Sequence, residues 1–340
     1  MEYRKLGRTG VDVSAVGLGG WEIGGGYGDV DDSEYQRAVH RAVDVGINCF
    51  DTAWSYGAGK SERALSRALG HRRQKVIIAT KFGVGYEERF RDASYQRAMR
   101  SIEESLRNLQ TDYIDVYLVH WPDPETPLEE TVRALEDIVE QGKARFVGVS
   151  NFHAMQLEQC LQTRRIDVAQ YCWNMLDRRA GVEVFPLCEQ NGIGVMAYGP
   201  LAYGILTGTF TPETKFAQDD WRSQEGRVGT INLFQHLFDR DHFPKNLRAV
   251  GELRTIAAAY GKSLPQLALN WCLSHAPINV ALVGCRNIEE INHSLGALEW
   301  SIRPHDFQII DDIFLKNGAV TTPEYWIDSG ILRPHALSAS

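Results

Sequence analysis

The chain has 340 residues, of which 44% are hydrophobic and 24% charged, and a formal net charge of -8. This is the balance of an ordinary soluble globular protein. The length is long for one domain but within the range of α/β barrels, and the acidic charge without a basic stripe disfavours a nucleic-acid partner. The six cysteines, at 49, 160, 172, 188, 272 and 285, include no C-x-x-C pair, so neither a zinc site, another metal centre nor a disulfide framework is expected. They suit a reducing compartment, read here as the cytoplasm. Met1–Gly7 carries no apolar signal-like region, and no run approaches the length of a membrane span.

Residues 1–14 read as a hairpin: Tyr3 and Leu6 lead into Gly7-Arg8-Thr9-Gly10, and Val11 and Val13 then alternate with polar residues. Ala15–Leu18 is a short strand, followed by a Gly-rich loop through Gly28. Asp31 and Asp32 precede a helix over 33–45 that Gly46 stops. Ile47–Asp51 is a strand, Lys60–Leu69 a helix and Val76–Lys81 a strand. Tyr95, Met99, Ile102, Leu106 and Leu109 then form one apolar helical stripe. Tyr113–His120 is a strand. Thr126-Pro127-Leu128-Glu129 reads as a capping box with Pro at the first helical position, and Gly142 ends that helix.

Strands over Arg145–Val149, Val168–Gln170 and Ile193–Ala197 alternate with helices over 153–162 and 181–190. Residues 201–245 break the rhythm, with one short helix around Asn232–Phe238. Helices resume over 246–260 and 263–275, the second opened by Ser263-x-x-Gln266. Asn279–Val283 is the last strand, followed by a helix opening at Asn287, a final helix over 305–316 and a tail over 318–340.

Eight strands, most followed by a helix, predict a single (β/α)8 TIM barrel over 1–340, with an N-terminal hairpin and a long loop after the seventh strand. An open doubly wound sheet is the second choice. Its dinucleotide fingerprint is missing, because Gly17-x-Gly19 meets Glu22 where the third glycine belongs.

A barrel of this kind carries its active site at the C-terminal ends of the strands. There stand Asp51 with Tyr56 in its loop, Lys81, His120, Ser150-Asn151, Gln170 and Tyr198. A lysine against a tyrosine favours the phenolate, and a buried lysine needs a carboxylate such as Asp51. Tyr56 would then donate a proton near neutral pH, with His120 orienting a carbonyl oxygen. Nothing here is a strong nucleophile, so the set suits protonating an oxygen while a cofactor hydride attacks its carbon. Each residue also has a plainer reading: a solvated Lys, a core-edge His, a turn Asp, a packed Tyr.

Phe50-Asp51-Thr52-Ala53-x-x-Tyr56-Gly57, Lys81 after Ile78-Ala79-Thr80, and Tyr117-Leu118-Val119-His120-Trp121-Pro122 resemble the aldo-keto reductase superfamily. So do Gly148-Val149-Ser150-Asn151-Phe152 and Gln170-Tyr171, and the similarity runs from about Tyr3 to Leu298. The resemblance implies a barrel binding an extended nicotinamide cofactor without a Rossmann domain, and reversible reduction of aldehydes and ketones. Carried over by position, Tyr56 is the general acid, Lys81 its pKa-lowering neighbour, Asp51 the partner of Lys81, and His120 the carbonyl-positioning group. Ser150, Asn151 and Gln170 resemble the residues that bind the nicotinamide carboxamide, and Tyr198 the aromatic that stacks on its ring. The plainer alternatives are an N-cap for Asn151 and ordinary packing for Tyr198.

The 201–245 segment stands where relatives carry the loop covering the pyrophosphate. Pro200, Leu201 and Gly204 fit its start, although relatives usually have Ser at Gly199. The turn Gly284-Cys285-Arg286-Asn287 would hold the adenosine phosphate, with Arg286 pairing with a 2′-phosphate, which favours NADP(H). Glu290, His293 and Ser294 depart from the usual Gln or Arg, then Glu and Asn. Glu290 also reads as the capping-box partner of Asn287. A carboxylate near the ribose keeps NAD(H) open.

Trp21, Trp54, Tyr86 and Trp121 fall in loops at the same face and would line a pocket for an aldehyde, ketone or sugar. The resemblance leaves other functions open: a cofactor-binding regulator resembling potassium-channel beta subunits, an NAD-dependent sugar dehydrogenase, or, outside the resemblance, a cofactor-free barrel lyase or epimerase. No membrane or nucleic-acid partner is expected, and a homo-oligomer stays open.

Overall fold

The structure, a computed structural model, describes residues 1–319 apart from 26, 28, 29, 88, 229, 230 and 233. Most of the tail over 318–340, and Gly28 in the first loop, lie outside the described residues. In chain order the strands and helices are β1 (Tyr3–Lys5), β2 (Asp12–Ser14), β3 (Val16–Gly19), α1 (Asp32–Asp44), β4 (Cys49–Asp51), α2 (Lys60–Leu69), β5 (Ile77–Phe82) and α3 (Tyr95–Leu109). Next come β6 (Ile114–Val119), α4 (Leu128–Glu140), β7 (Ala144–Ser150), α5 (Ala154–Thr163), β8 (Val168–Cys172), α6 (Arg179–Asn191) and β9 (Gly194–Tyr198). The chain ends through β10 (Arg227–Val228), β11 (Ile231–Asn232), α7 (Gln235–Phe238), α8 (Phe243–Ala259), α9 (Leu264–Leu273), β12 (Ile278–Gly284), α10 (Ile288–Leu295) and α11 (Pro304–Lys316).

The closed barrel runs β12-β3-β4-β5-β6-β7-β8-β9, all neighbours parallel, as the strand–helix count predicts. Strand residues alternate between the two faces. Cys49, Ala79, Val116, Leu118, Val168, Met196, Val280 and Leu282 pack together inside the barrel. Their neighbours Phe50, Ile78, Tyr117, Val119, Ala169, Val195 and Ala281 belong to the outer core between sheet and helices. The β1–β2 hairpin closes the barrel floor, since Leu6 and Val13 join the inner cluster and Arg8 N–H donates to Gly192 O at 2.8 Å.

The helix starts follow their caps. Asp31 accepts from the Ser33 and Glu34 amides, and Ser263 and Gln266 form the reciprocal capping box that the spacing predicts. At α4 the predicted box does not form. Pro127 is itself the N-cap, and the Thr126 hydroxyl donates to Asp123 Oδ2 at 2.6 Å. At α10 the Asn287 side chain accepts from the Glu290 amide at 3.0 Å, but the Glu290 carboxylate accepts from Arg286 instead of closing the box.

The segment after β9 is less bare than its composition suggests. It has 3-10 turns at Ala202–Thr207 and Trp221–Gln224, the β10–β11 pair, and α7 inside the predicted helix. Proline at the start of α8 lets that helix begin at Phe243.

Where β7 meets β8, an ideal Cβ on Gly148 would lie 1.8 Å from the Val168 carbonyl oxygen and 2.9 Å from Leu118 Cδ2. Only a residue without a side chain allows this strand spacing. Gly148→Ala is expected to destabilise the barrel by at least ~2 kcal/mol, as overpacking against backbone does. The measurement is a thermal melt. An unchanged Tm would show that the two strands can part at no cost.

Candidate functional site

Barrel parity explains which polar groups meet. Asp51 lies two residues beyond Cys49, Lys81 two beyond Ala79, His120 two beyond Leu118, Gln170 two beyond Val168 and Tyr198 two beyond Met196. Each therefore shares the inner face of its strand with an apolar core residue and forms the next layer toward the C-terminal mouth. The sequence-predicted quartet of Asp51, Tyr56, Lys81 and His120 comes together there.

Lys81 is 1% exposed and Asp51 5% exposed, so both charges are out of bulk water. The Lys81 ammonium donates to Asp51 Oδ1 at 2.7 Å, to the Thr52 carbonyl at 2.8 Å and to the Tyr56 hydroxyl oxygen at 3.3 Å. Three donors thus have three acceptors. The Gln170 amide donates to Asp51 Oδ2 at 2.7 Å, which occupies the other carboxylate oxygen. Burial pushes Asp51 up and Lys81 down, and their mutual attraction pulls each back toward its charged form.

The role expected for Lys81 as the neighbour that lowers the Tyr56 phenol rests on their contact at 3.3 Å. Burial, then the charge of Asp51, pushes Tyr56 well above the ordinary tyrosine range. The phenol stands beside the Lys81–Asp51 ion pair, which is closed at 2.7 Å. Tyr56 is therefore a neutral phenol whose oxygen accepts from Lys81, leaving its own O–H to donate elsewhere.

Burial, and then the charge of Lys81, hold His120 well below the usual histidine range, so its imidazole is neutral. Ser55 Oγ lies 3.2 Å from His120 Nδ1, and the His120 and Tyr56 rings stand nearly perpendicular with centroids 5.7 Å apart.

Asn151 adopts a left-handed φ of +64°, which turns its amide back over the barrel mouth. Its Nδ2 donates to the His120 carbonyl and to Ser150 Oγ, both at 3.0 Å, and its Oδ1 accepts from the Tyr198 hydroxyl at 2.7 Å. The N-cap of α5 is His153, boxed with Gln156, so the capping alternative for Asn151 does not hold.

Two cavities share Trp21, Tyr56 and Tyr198 as walls. The smaller, about 240 Å³, is bounded by His120, Ser55, Trp121, Phe90 and Phe234, with Ser150, Asn151 and Gln170 at its base. Of the four aromatic residues read as substrate-lining, Trp21 and Trp121 border it. Trp54 and Tyr86 stand outside that lining and pack on each other at 4.8 Å. The Tyr86 hydroxyl accepts from Gly83 N–H at 3.1 Å, and Arg97 covers its ring at 4.2 Å, so it braces the loop after β5.

The larger cavity, about 460 Å³, runs from Tyr56 and Asp51 past Tyr198, Gly199, Pro200, Leu201 and Gly204 to Gly284, Arg286 and Glu290. Its glycines, the ring of Tyr198, and the N-terminal end of α10 are the groups that suit an extended dinucleotide. Arg286 is engaged within the chain. Its Nη2 donates to Glu290 Oε1 at 2.9 Å and its backbone N–H to Glu290 Oε2 at 2.7 Å.

Sequence reasoning missed several wall residues. Ser55 and Glu22 adjoin Tyr56 and Trp21, and adjacency alone could have flagged them. Phe90 and Arg222 come from irregular segments with no periodic signal, and Phe234 from the start of the short helix predicted within 201–245. Arg222 grips Asp220 through contacts of 2.9 and 3.1 Å and stacks on Tyr27 and Phe216 at 5.0 and 4.8 Å. Among the described residues no cluster of three or more His, Cys, Asp or Glu side chains could hold a metal ion, and no helix is long and apolar enough to cross a membrane.

Comparison with known proteins places the chain in a family. The profile of the Aldo/keto reductase family matches residues 15–314. The chain is 35% identical over 319 residues to aldo-keto reductase YhdN of Bacillus subtilis (strain 168), covering 92% of this chain and 93% of that one. It is 31% identical over 332 residues to the NADH-specific methylglyoxal reductase of Escherichia coli (strain K12), covering 92% and 98%. The structure superposes on the glycerol dehydrogenase AKR11B4 from Gluconobacter oxydans with a TM-score of 0.81 at 33% identity, covering 92% and 95%. With its barrel, its motifs and these relatives in agreement across nearly the whole chain, the protein belongs to the aldo/keto reductase family of oxidoreductases.

Proposed function

We propose that this enzyme reversibly reduces a small aldehyde, ketone or sugar carbonyl with a nicotinamide dinucleotide, and that Tyr56 is the general acid. The observation that carries the reading is the Lys81 ammonium, buried on Asp51 and reaching the Tyr56 oxygen at 3.3 Å. When bound, the reduced dinucleotide supplies a hydride to the carbonyl carbon and leaves oxidised.

The chain's own groups do the rest. The substrate oxygen enters the aromatic-walled cavity between Tyr56 and His120. Neutral His120 orients it by a hydrogen bond, with Ser55 at Nδ1 helping to set which nitrogen carries the proton. Tyr56 donates its proton as negative charge develops on that oxygen. A proton donor has to be protonated, so a raised phenol is suited to the reduction direction. Lys81 then stabilises the phenolate left behind, a charge present late in the reaction and absent before it. Asp51 and Gln170 hold Lys81 in place as positioning residues. In the oxidation direction the same phenolate accepts the alcohol proton.

Ser150, Asn151 and Gln170 would hold the nicotinamide carboxamide, Tyr198 its ring, Pro200, Leu201 and Gly204 the pyrophosphate, and Gly284 and Arg286 the adenosine end. Arg286 favours NADP(H), since a guanidinium pairs well with a phosphate monoester, though Glu290 competes for it. NAD(H) fits the same walls, and the E. coli relative is NADH-specific.

Tyr56→Phe is expected to lower kcat by about 10²–10⁴ while dinucleotide affinity, read by tryptophan fluorescence, stays within a few-fold. Near-native turnover in that variant would remove Tyr56 as the acid. Because Tyr56 stays protonated and His120 stays neutral across the working range, kcat for reduction at saturating dinucleotide is expected to be flat from about pH 5.5 to about pH 8.5. A limb near the ordinary histidine range that disappears in His120→Gln would show instead that the imidazole titrates.

A further inference from the structure

The larger cavity must take a polyanion, yet its wall contains a carboxyl with no ion-pair partner among the described residues. Glu22 opens the 3-10 turn after β3 and lines the cavity opposite Gly284. Its carboxyl fills the space that a side chain at 284 would need, since an ideal Cβ on Gly284 would lie 1.7 Å from Glu22 Oε1. The two nearby cations are already matched: Arg286 by Glu290 at 2.9 Å, and Arg222 by Asp220 at 2.9 and 3.1 Å. Glu22 itself makes no side-chain ion pair or hydrogen bond to another described residue. Its ionised form is therefore surplus negative charge against the wall where the phosphate-bearing part of a dinucleotide would lie.

We propose that Glu22 is an affinity-determining residue for the dinucleotide and that binding is coupled to proton uptake by its carboxyl. The proposal rests on the dinucleotide reading given above and deepens it. Protonated, the carboxyl is uncharged and can donate a hydrogen bond to a phosphate oxygen. Ionised, it repels the same oxygen in a partly desolvated cavity, where charges interact more strongly than in water.

The surroundings permit this titration near neutrality. Burial pushes the Glu22 carboxyl up to about 7, opposed by a hydrogen bond from its own backbone N–H and by Arg286 and Arg222, with Glu290 adding to the rise. The other titratable groups that face it are Tyr27 beside its own turn, Tyr35 on α1, Tyr56 at the barrel mouth and Cys285 after β12. His293 on α10 lines the same cavity. Burial holds the phenols and the thiol above their ordinary values, so they keep their protons while Glu22 titrates. A bound anion raises the carboxyl further, so complex formation above neutral pH draws in a proton.

The test is the dissociation constant of NADH, read by fluorescence in the absence of substrate from about pH 6 to about pH 8.5, for the native chain and for Glu22→Gln and Glu22→Ala. NADH is the probe because a 2′-phosphate monoester titrates itself, with a second pKa of about 6. Above the carboxyl's own titration the native Kd is expected to climb toward tenfold per pH unit, and both variants to stay within about twofold throughout. Calorimetry in buffers of different ionisation enthalpy should report proton uptake at about pH 8 for the native chain and none for Glu22→Gln.

Parallel loss of affinity in all three proteins would assign the pH dependence to another group and overturn the proposal. A Glu22→Gln chain that binds at least about tenfold more weakly at every pH would also overturn it, by showing that the ionised carboxylate makes a favourable contact, such as to a ribose hydroxyl. If none of the proteins binds NADH or NADPH at any pH while their thermal melts stay native, the dinucleotide reading itself fails.

Discussion

The mouth of the barrel depends on one buried ion pair. Removing Lys81 and Asp51 from water costs several kcal/mol per ion, and their attraction offsets this only when the geometry is good and the remaining polar atoms are matched. Here they are matched: Thr52 and Tyr56 take the other ammonium protons, and Gln170 takes the second carboxylate oxygen. The pair thereby links β4, the loop that follows it, β5 and β8, from one side of the barrel mouth to the other.

Around this centre the two cavities divide the work by wall chemistry. The smaller is mainly aromatic, with the donors concentrated at Tyr56, His120 and the amide cluster beneath. The larger mixes glycines and charged groups with aromatic and aliphatic side chains and ends where β12 meets α10. Trp21 and Tyr198 stand on both, so a dinucleotide and a carbonyl would share a wall at the position where a hydride has to cross. The cover over the larger cavity comes from the segment after β9, held through aromatic packing about Trp221 and through Arg222, which ties Asp220, the Tyr203 carbonyl and the Tyr27 ring together.

Local readings failed where a competing partner was out of view in the sequence. The box expected at Thr126–Glu129 lost to Asp123, three residues upstream, which takes the threonine hydroxyl. For Asn151 the plainer alternative, an N-cap, is excluded because its left-handed backbone aims the amide at Tyr198 and the His120 carbonyl, and His153 caps the helix. Trp54 and Tyr86 looked like pocket aromatics because they lie in loops on the correct face. Their mutual packing and the Gly83 hydrogen bond turn them into the support of that face.

What the sequence determined by itself was the periodic part. Alternating strands and amphipathic helices count to a closed barrel, and strand parity then places Asp51, Lys81, His120, Gln170 and Tyr198 on one inner layer, because side chains two residues apart share a face. What only the tertiary structure decided was everything that depends on distance between segments without a period. This includes the state of Tyr56, which is set by burial and by an ion pair formed thirty residues apart in the chain. It also includes Glu22, which in the sequence only spoils a glycine fingerprint. Folded, the same side chain stands against Gly284, more than two hundred residues away, as a carboxyl on the cavity wall with no ion-pair partner among the described residues. Charge pairing and desolvation act through space, so a linear pattern identifies the groups but not which of them are neutralised by a neighbour.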